Sequence, residues 1–252
     1  STGWRAAGPQ VWTQSLRGLP IDWSSARFMA NEGSARVVNQ ASQSVAPAGG
    51  KGFRETVGPY FERESIAAFF LGISSGFPLT LLLSTMTYWL SREGIDKKTI
   101  GFAVGLTTPY TLKFLWAPLL DQIRLPFLSR LFGQRRAWLF AIMALLVFAV
   151  WNLGASDPAH HLGRFAFWAI VTAFLSATQD IVIDAYRIEI LSERQLPFGT
   201  AMNQFGYRTG NLAAGAGTIA LYSSEGFGYG WALAYGLTAL LVIPAAIVAL
   251  FV

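Results

Sequence analysis

Leu139-Phe-Ala-Ile-Met-Ala-Leu-Leu-Val-Phe-Ala-Val150 runs for about three helical turns without one polar side chain. A surface helix of a soluble protein keeps a polar face, so a segment that is apolar all round belongs in a protein core or a bilayer. Residues 239–252 are equally apolar, and between these two stretches and around them lie four more long apolar segments. The six run over about 65–90, 100–119, 137–155, 164–190, 199–222 and 229–252. Each approaches the roughly 20 residues that a helix needs to cross the hydrocarbon core. The expected fold is therefore an all-α integral membrane protein with six transmembrane helices.

Composition agrees. The chain is 53% hydrophobic and only 13% charged, against about a quarter charged in soluble domains. Its mean hydropathy is +0.41. The formal charge of +5 does not point to nucleic acid, because the basic residues sit in the short segments between apolar stretches. Lys51, Arg54, Arg63, Arg124, Arg130, Arg135, Arg136, Arg187 and Arg194 fall on one side. Arg92, Lys97, Lys98 and Arg164 fall on the other. Nine against four places the N-terminus in the cytoplasm. Cysteine is absent, which removes disulfides, thiolate metal sites and cysteine nucleophiles.

Residues 1–53 differ from the rest. They are rich in Ser, Ala, Gly and Gln and lack a long apolar period, so a flexible cytoplasmic extension is expected before a 54–252 helical bundle. A short amphipathic helix near 11–28 is the alternative for part of it. The chain opens on Ser1 rather than Met and stops directly after an apolar run, from which a piece of a longer protein is expected.

Polar residues inside the apolar segments carry the functional signal, since they are costly in lipid and normally face a bundle interior or water. In the fourth segment Asp180, Asp184 and Arg187 share an arc of about 60°, with Gln179 at its edge. In the fifth, Asn203, Gln204, Tyr207, Arg208 and Asn211 share about 140°. Tyr110 and Lys113 lie about 60° apart on the second. Tyr110, Lys113, Gln179, Asp180, Asn203, Gln204, Tyr207 and Arg208 are the expected substrate and proton pathway, with Asp180 as the proton-carrying carboxylate. Asp121 with Arg135 or Arg136, and Asp184 with Arg187, read as ion pairs that latch or brace the helix ends. Lys113 has a second reading, as a side chain reaching to the interface. Gly206, Gly210 and Ala214 recur every four residues and give the fifth segment a close-packing face.

Two motifs carry a family resemblance. Pro109-Tyr-Thr-Leu-Lys-Phe-Leu-Trp-Ala-Pro-Leu-Leu-Asp121 leads into the basic loop ending Gly133-Gln-Arg-Arg-Ala-Trp138, and Ser176-Ala-Thr-Gln-Asp-Ile-Val-Ile-Asp-Ala-Tyr-Arg-Ile-Glu189 closes the fourth segment. Both resemble the AmpG-type muropeptide permeases of the major facilitator superfamily and, more distantly, the acetyl-coenzyme A transporters. Phe70-Leu-Gly-Ile-Ser-Ser-Gly-Phe-Pro78 and Gly206-Tyr-Arg208 add to the similarity. The resemblance covers about residues 54–245 and implies the N-terminal six-helix half of a transporter with at least twelve helices.

What it implies further is proton-coupled import of peptidoglycan-derived anhydro-muropeptides across a bacterial inner membrane, with a missing C-terminal half or a partner subunit completing the cavity. A non-transporting structural subunit of a larger membrane complex is the competing reading. No enzyme is expected: the chain lacks a Gly-Lys-Ser/Thr phosphate loop, a Gly-x-Ser-x-Gly elbow and a His-Glu-x-x-His pair. No cofactor or metal is expected either, as His160 and His161 sit in a loop without further ligands.

Overall fold

The computed structural model describes residues 57–105, 107–123, 128–223 and 225–252, with the side chains of Val104, Asp121, Leu128 and Leu131 left out. The expected extension and its alternative amphipathic helix lie outside the described residues. Among those residues every regular element is helical. After a 3-10 turn at Gly58–Phe61 come α1 (Arg63–Arg92), α2 (Lys97–Gly105), α3 (Thr108–Leu112), α4 (Ala117–Gln122) and α5 (Leu128–Phe132). They are followed by α6 (Gln134–Gly154), α7 (Leu162–Ile190), α8 (residues 196–222) and α9 (Gly230–Phe251).

Four helices are long and apolar enough to cross a membrane: α1, α6, α7 and α9. This makes the chain a multi-pass membrane protein. The other two expected segments are helical where the sequence puts them but differ in kind. α8 is continuous, yet Asn203, Gln204, Arg208 and Asn211 interrupt its apolar character. The second segment is not one helix. It breaks after α2, and a 3-10 turn at Lys113–Leu115 separates α3 from α4. Pro109 and Pro118 each sit at the start of a new helical piece, where a missing N–H costs nothing.

Each helix begins and bends for local reasons. The Asp96 carboxylate accepts the N–H groups of Lys98 and Thr99 and so caps the start of α2; the Thr99 hydroxyl and these amides hold its carboxyl below the usual range. Gly133 enters α6 at φ +83°, a left-handed conformation that glycine adopts without strain. α1 carries Pro78 and then widens into a π turn at Leu81–Thr85, and α8 widens likewise at Ala213–Gly217. The two wide turns meet: Thr85 Oγ1 donates to the Ala214 carbonyl at 3.1 Å, satisfying a backbone group that would otherwise be stranded in an apolar interior.

α1 is the central strut, packed against α7, α8 and α9, while α6 packs against α7 and α9. The α1–α8 contact is backbone to backbone. A Cβ on Gly72 would lie 2.1 Å from the Asn203 carbonyl oxygen, and one on Gly206 would lie 1.9 Å from that of Phe69. Gly76 and Gly210 repeat the fit one turn further along, against Tyr207 and Ile73. The glycine spacing read from the sequence is thus half of a reciprocal seam. In lipid, where apolar burial drives little association, such close approach is what holds helices together.

At the far end of α1, Trp231 stacks on Tyr222 (3.7 Å, 11°) and Trp89 (4.9 Å, 22°), tying α1, α8 and α9. Outward faces stay apolar: Leu145, Phe148, Phe167, Phe205, Ile247 and Leu250 are exposed, as a lipid-facing surface requires.

The seam gives a direct test. Gly206→Ala must push α1 and α8 apart and is expected to destabilise the protein by about 1–3 kcal/mol in detergent unfolding. Gly163→Ala, where an added Cβ meets nothing within 4 Å, is expected to be neutral or slightly stabilising. Equal stability of both variants would show that the glycine seam does not hold the helices.

Candidate functional site

α7 is the polar spine of the bundle. Two adjacent residues on it, Gln179 and Asp180, meet two adjacent residues on α1. Gln179 Nε2 donates to Ser74 Oγ at 2.7 Å, and Ser75 Oγ donates to Asp180 Oδ1 at 2.6 Å. Gln179 is fully buried, and its Oε1 has no hydrogen-bond partner among the described residues. One turn and two turns away on the same face, Ser176 bonds the Tyr110 hydroxyl and Thr172 keeps a buried, unpartnered Oγ1.

The broken second segment supplies the cation. Lys113 stands at the first residue of the 3-10 turn between α3 and α4, and its Nζ lies 3.7 Å from Asp180 Oδ2. The two sides of this pair are not equivalent, for the lysine side chain is 38% exposed and the carboxylate 14%. A carboxylate so placed needs a cation or donors around it, since an uncompensated charge in such surroundings costs several kcal/mol. Ser75 and Lys113 together meet that need. Trp116, just past the turn, donates through Nε1 to Thr178 Oγ1 at 3.2 Å and fixes the break against α7.

The α8 residues contribute in two groups. Asn203 and Tyr207 are half-buried, their carbonyls pressed against the glycines of α1, whereas Gln204 and Arg208 are exposed. Tyr207 lies within electrostatic range of Asp180, but no hydrogen bond joins the α8 set to Asp180 among the described residues. Of the expected pathway residues, Lys113 pairs with Asp180 and Tyr110 with Ser176 one turn away on α7, and Tyr110 and Tyr207 both lie within electrostatic range of Asp180. Gln179 is turned toward Ser74 instead.

The expected ion pairs divide as well. Arg187 Nη2 lies 3.2 Å from Asp184 Oδ1, an i,i+3 pair with Asp184 exposed. The Asp121 side chain lies outside the described residues. Arg135 Nε donates to Glu189 Oε1 at 2.9 Å, and the Arg136 guanidinium sits 5.9 Å from the centre of the Tyr186 ring. Glu189 closes the 176–189 motif but is not among the expected ion-pair residues. Arg135 and Arg136, with Glu64, Tyr186 and Glu189, line a cavity of about 690 Å³ at the N-terminal end of α1, and neither Lys113 nor Asp180 reaches it. Gln195 closes the same end: its amide nitrogen donates to Glu62 and, at 3.1 Å, to Glu64, while its oxygen accepts from Ser192.

His160 belongs to the loop before α7, where its ring bonds Asp157 at 2.7 Å and holds that carboxyl below the usual range. Among the described residues no group of three or more His, Cys, Asp or Glu could hold a metal ion.

No family model matches the chain. It is 41% identical over 180 residues, 71% of its length, to the anhydromuropeptide permease of Escherichia coli strain K12, covering 35% of that protein. It is 39% identical over 60% of its length to the putative transporter AmpG 1 of Rickettsia conorii, of which it covers 36%. The putative transporter AmpG 4 of the same organism is 38% identical over 71% of the chain, which covers 42% of it. The chain thus spans well under half the length of these relatives. The resemblance carried by the motifs at 109–121 and 176–189 is borne out, and over roughly 70% of its length this chain is similar to the AmpG-type permeases.

Proposed function

We propose that this chain forms the six-helix N-terminal half of a major facilitator transporter that carries anhydromuropeptides into the cytoplasm, coupled to protons. The observation that carries the reading is the conjunction of 41% identity to an anhydromuropeptide permease with a partnered carboxylate, Asp180, on the interior face of an apolar helix. In this reading α8 and the α2–α4 segment complete the six crossings. A broken crossing is tolerated at membrane depth where it lines a cavity, and transporters commonly bind substrate at such breaks. The 3-10 turn bearing Lys113 is a break of this kind.

Residue roles follow from chemistry. Lys113 and Arg208 offer cations to peptide carboxylates, and Gln179, Asn203, Gln204 and Tyr207 offer hydrogen bonds to sugar hydroxyls and amides. Asp180 takes up and releases the coupling proton. Asp184–Arg187 and Arg135–Glu189 brace the cytoplasmic ends of the helices, with Asp121 and Arg136 in the same loop-end latch. The membrane is the bacterial inner membrane, with the N-terminus inside.

Two experiments test this. In the native protein, Asp180→Asn keeps size and polarity but removes the titratable group. It is expected to insert normally and to lose accumulation of anhydromuropeptide driven by an imposed pH gradient, while exchange down the substrate's own gradient persists. Gradient-driven uptake at the unaltered rate would remove Asp180 from the mechanism. For orientation, a single cysteine at Ser129 is expected to be shielded from an impermeant thiol reagent outside the cell, and one at Ala159 to react. The opposite pattern would reverse the topology.

A further inference from the structure

The geometry around Asp180 makes its two oxygens unlike. Oδ1 accepts a short hydrogen bond from Ser75, a residue in the middle of α1, whereas Oδ2 lies against the Lys113 ammonium and has no hydrogen bond among the described residues. At 3.7 Å that contact is an ion pair too long to be a hydrogen bond. Its members also differ in freedom. The carboxylate is held on an unbroken helix and is nearly buried; the ammonium rides a flexible four-carbon stem from a 3-10 turn and is the more exposed of the two.

We infer that Lys113 is a shared cation, paired with Asp180 while that carboxylate is charged and released to a carboxylate of the ligand when Asp180 Oδ2 takes a proton. This rests on the transport reading above and deepens it by naming the ligand group and the coupling step. The step itself is a simple one: a proton from the solvent adds to Oδ2, the charge of the side chain rises from −1 to 0, and the attraction holding Lys113 disappears. Ser75 keeps the protonated side chain in place by continuing to donate to Oδ1. The ammonium, now without its partner, is stabilised by a new anion. Proton and anionic ligand therefore bind together, which is the requirement for moving them together.

Further charged and titratable groups lie near Asp180 on the second segment, on α8 and on α7 itself. Tyr110 stands beside Lys113 on the second segment, Tyr207 on α8 lies within electrostatic range with Arg208 next to it, and Asp184 follows one turn along α7. Ser75 is the polar contact from α1. Of these groups, Lys113 alone is a cation within 4 Å of the carboxylate among the described residues.

The test is calorimetric binding to the native protein in lipid nanodiscs, using an anhydromuropeptide with free peptide carboxylates and the same compound with those groups amidated. Binding of the acid form is expected to take up protons, measured by repeating the titration in buffers of different ionisation enthalpy; the amide form takes up none. Asp180→Asn is expected to bind the acid form about tenfold more tightly at neutral pH, within the usual range of coupling between sites, and to lose the proton uptake. Lys113→Gln is expected to bind acid and amide forms alike. Proton uptake that is the same for both forms, or Asp180→Asn binding the acid form no better than the unaltered protein, overturns the inference while leaving the transport reading intact. Absence of any binding by the unaltered protein overturns both. Should Asp180→Asn fail to fold, the proton uptake of the unaltered protein decides the matter by itself.

Discussion

A carboxylate inside an apolar helix bundle has to be compensated, and in this protein the compensation of Asp180 organises the helices around it. The Ser75 hydroxyl and the Lys113 ammonium are drawn from two different parts of the chain to one side chain on α7. Ser74 and Gln179 run alongside as a second, uncharged rung between α1 and α7. Hydrogen bonds of this kind contribute only about a kcal/mol each, yet leaving one of these buried groups unpaired would cost more than that. The rungs therefore act through what their loss would expose, and they fix the rotation of α1 against α7.

That rotation has a consequence on the opposite side of α1. With Ser74 and Ser75 committed to α7, Gly72 and Gly76 face α8, and the glycines of α8 return the fit. Polar rungs on one side and a bare backbone seam on the other leave α1 little freedom to turn. The wide turns in α1 and α8, joined through Thr85 and Ala214, lie further along the same pair of helices. Stiff pairing of α1 with α8 contrasts with the segment between α1 and α6, which is assembled from short pieces. The 3-10 turn within it bears Lys113, the cation paired with Asp180.

Much of this could be read from the residues. The apolar periods located α1, α6, α7, α8 and α9 to within a few residues, and the 3.6-residue spacing put Asp180 on one polar stripe of α7 with Gln179 at its edge. The glycine repeat on α8 was visible, but its complement on α1 was not sought, because Gly72 and Gly76 lie inside a motif noted for resemblance. The breaks in the second segment were signalled only by Pro109 and Pro118 and by the polar Thr107, Thr108 and Lys113, none of which by itself distinguishes a broken crossing from a continuous one. Ser74 and Ser75 were passed over for a different reason. A serine in an apolar helix most often bonds its own backbone, and only the position of α7 shows that these two do not. Glu189 and Gln195 depend on contacts between helix ends distant in sequence, which no local pattern records.

The central claim is that a polar, water-filled face of this bundle, not its lipid-facing surface, is where the substrate passes. Neighbouring residues on α8 separate the two faces: Gln204 and Phe205 are both exposed, about 100° apart around the helix. These 252 residues contain no cysteine, so labelling added by a cysteine introduced at either position, over that of the unaltered protein, reports on that position alone. The measurement is the rate of labelling by a small charged thiol reagent in membranes, with and without anhydromuropeptide. The account predicts rapid labelling at Gln204 that the substrate slows, and negligible labelling at Phe205 in either condition. Equal inertness at both positions, or labelling at Gln204 that the substrate leaves unchanged, would contradict it.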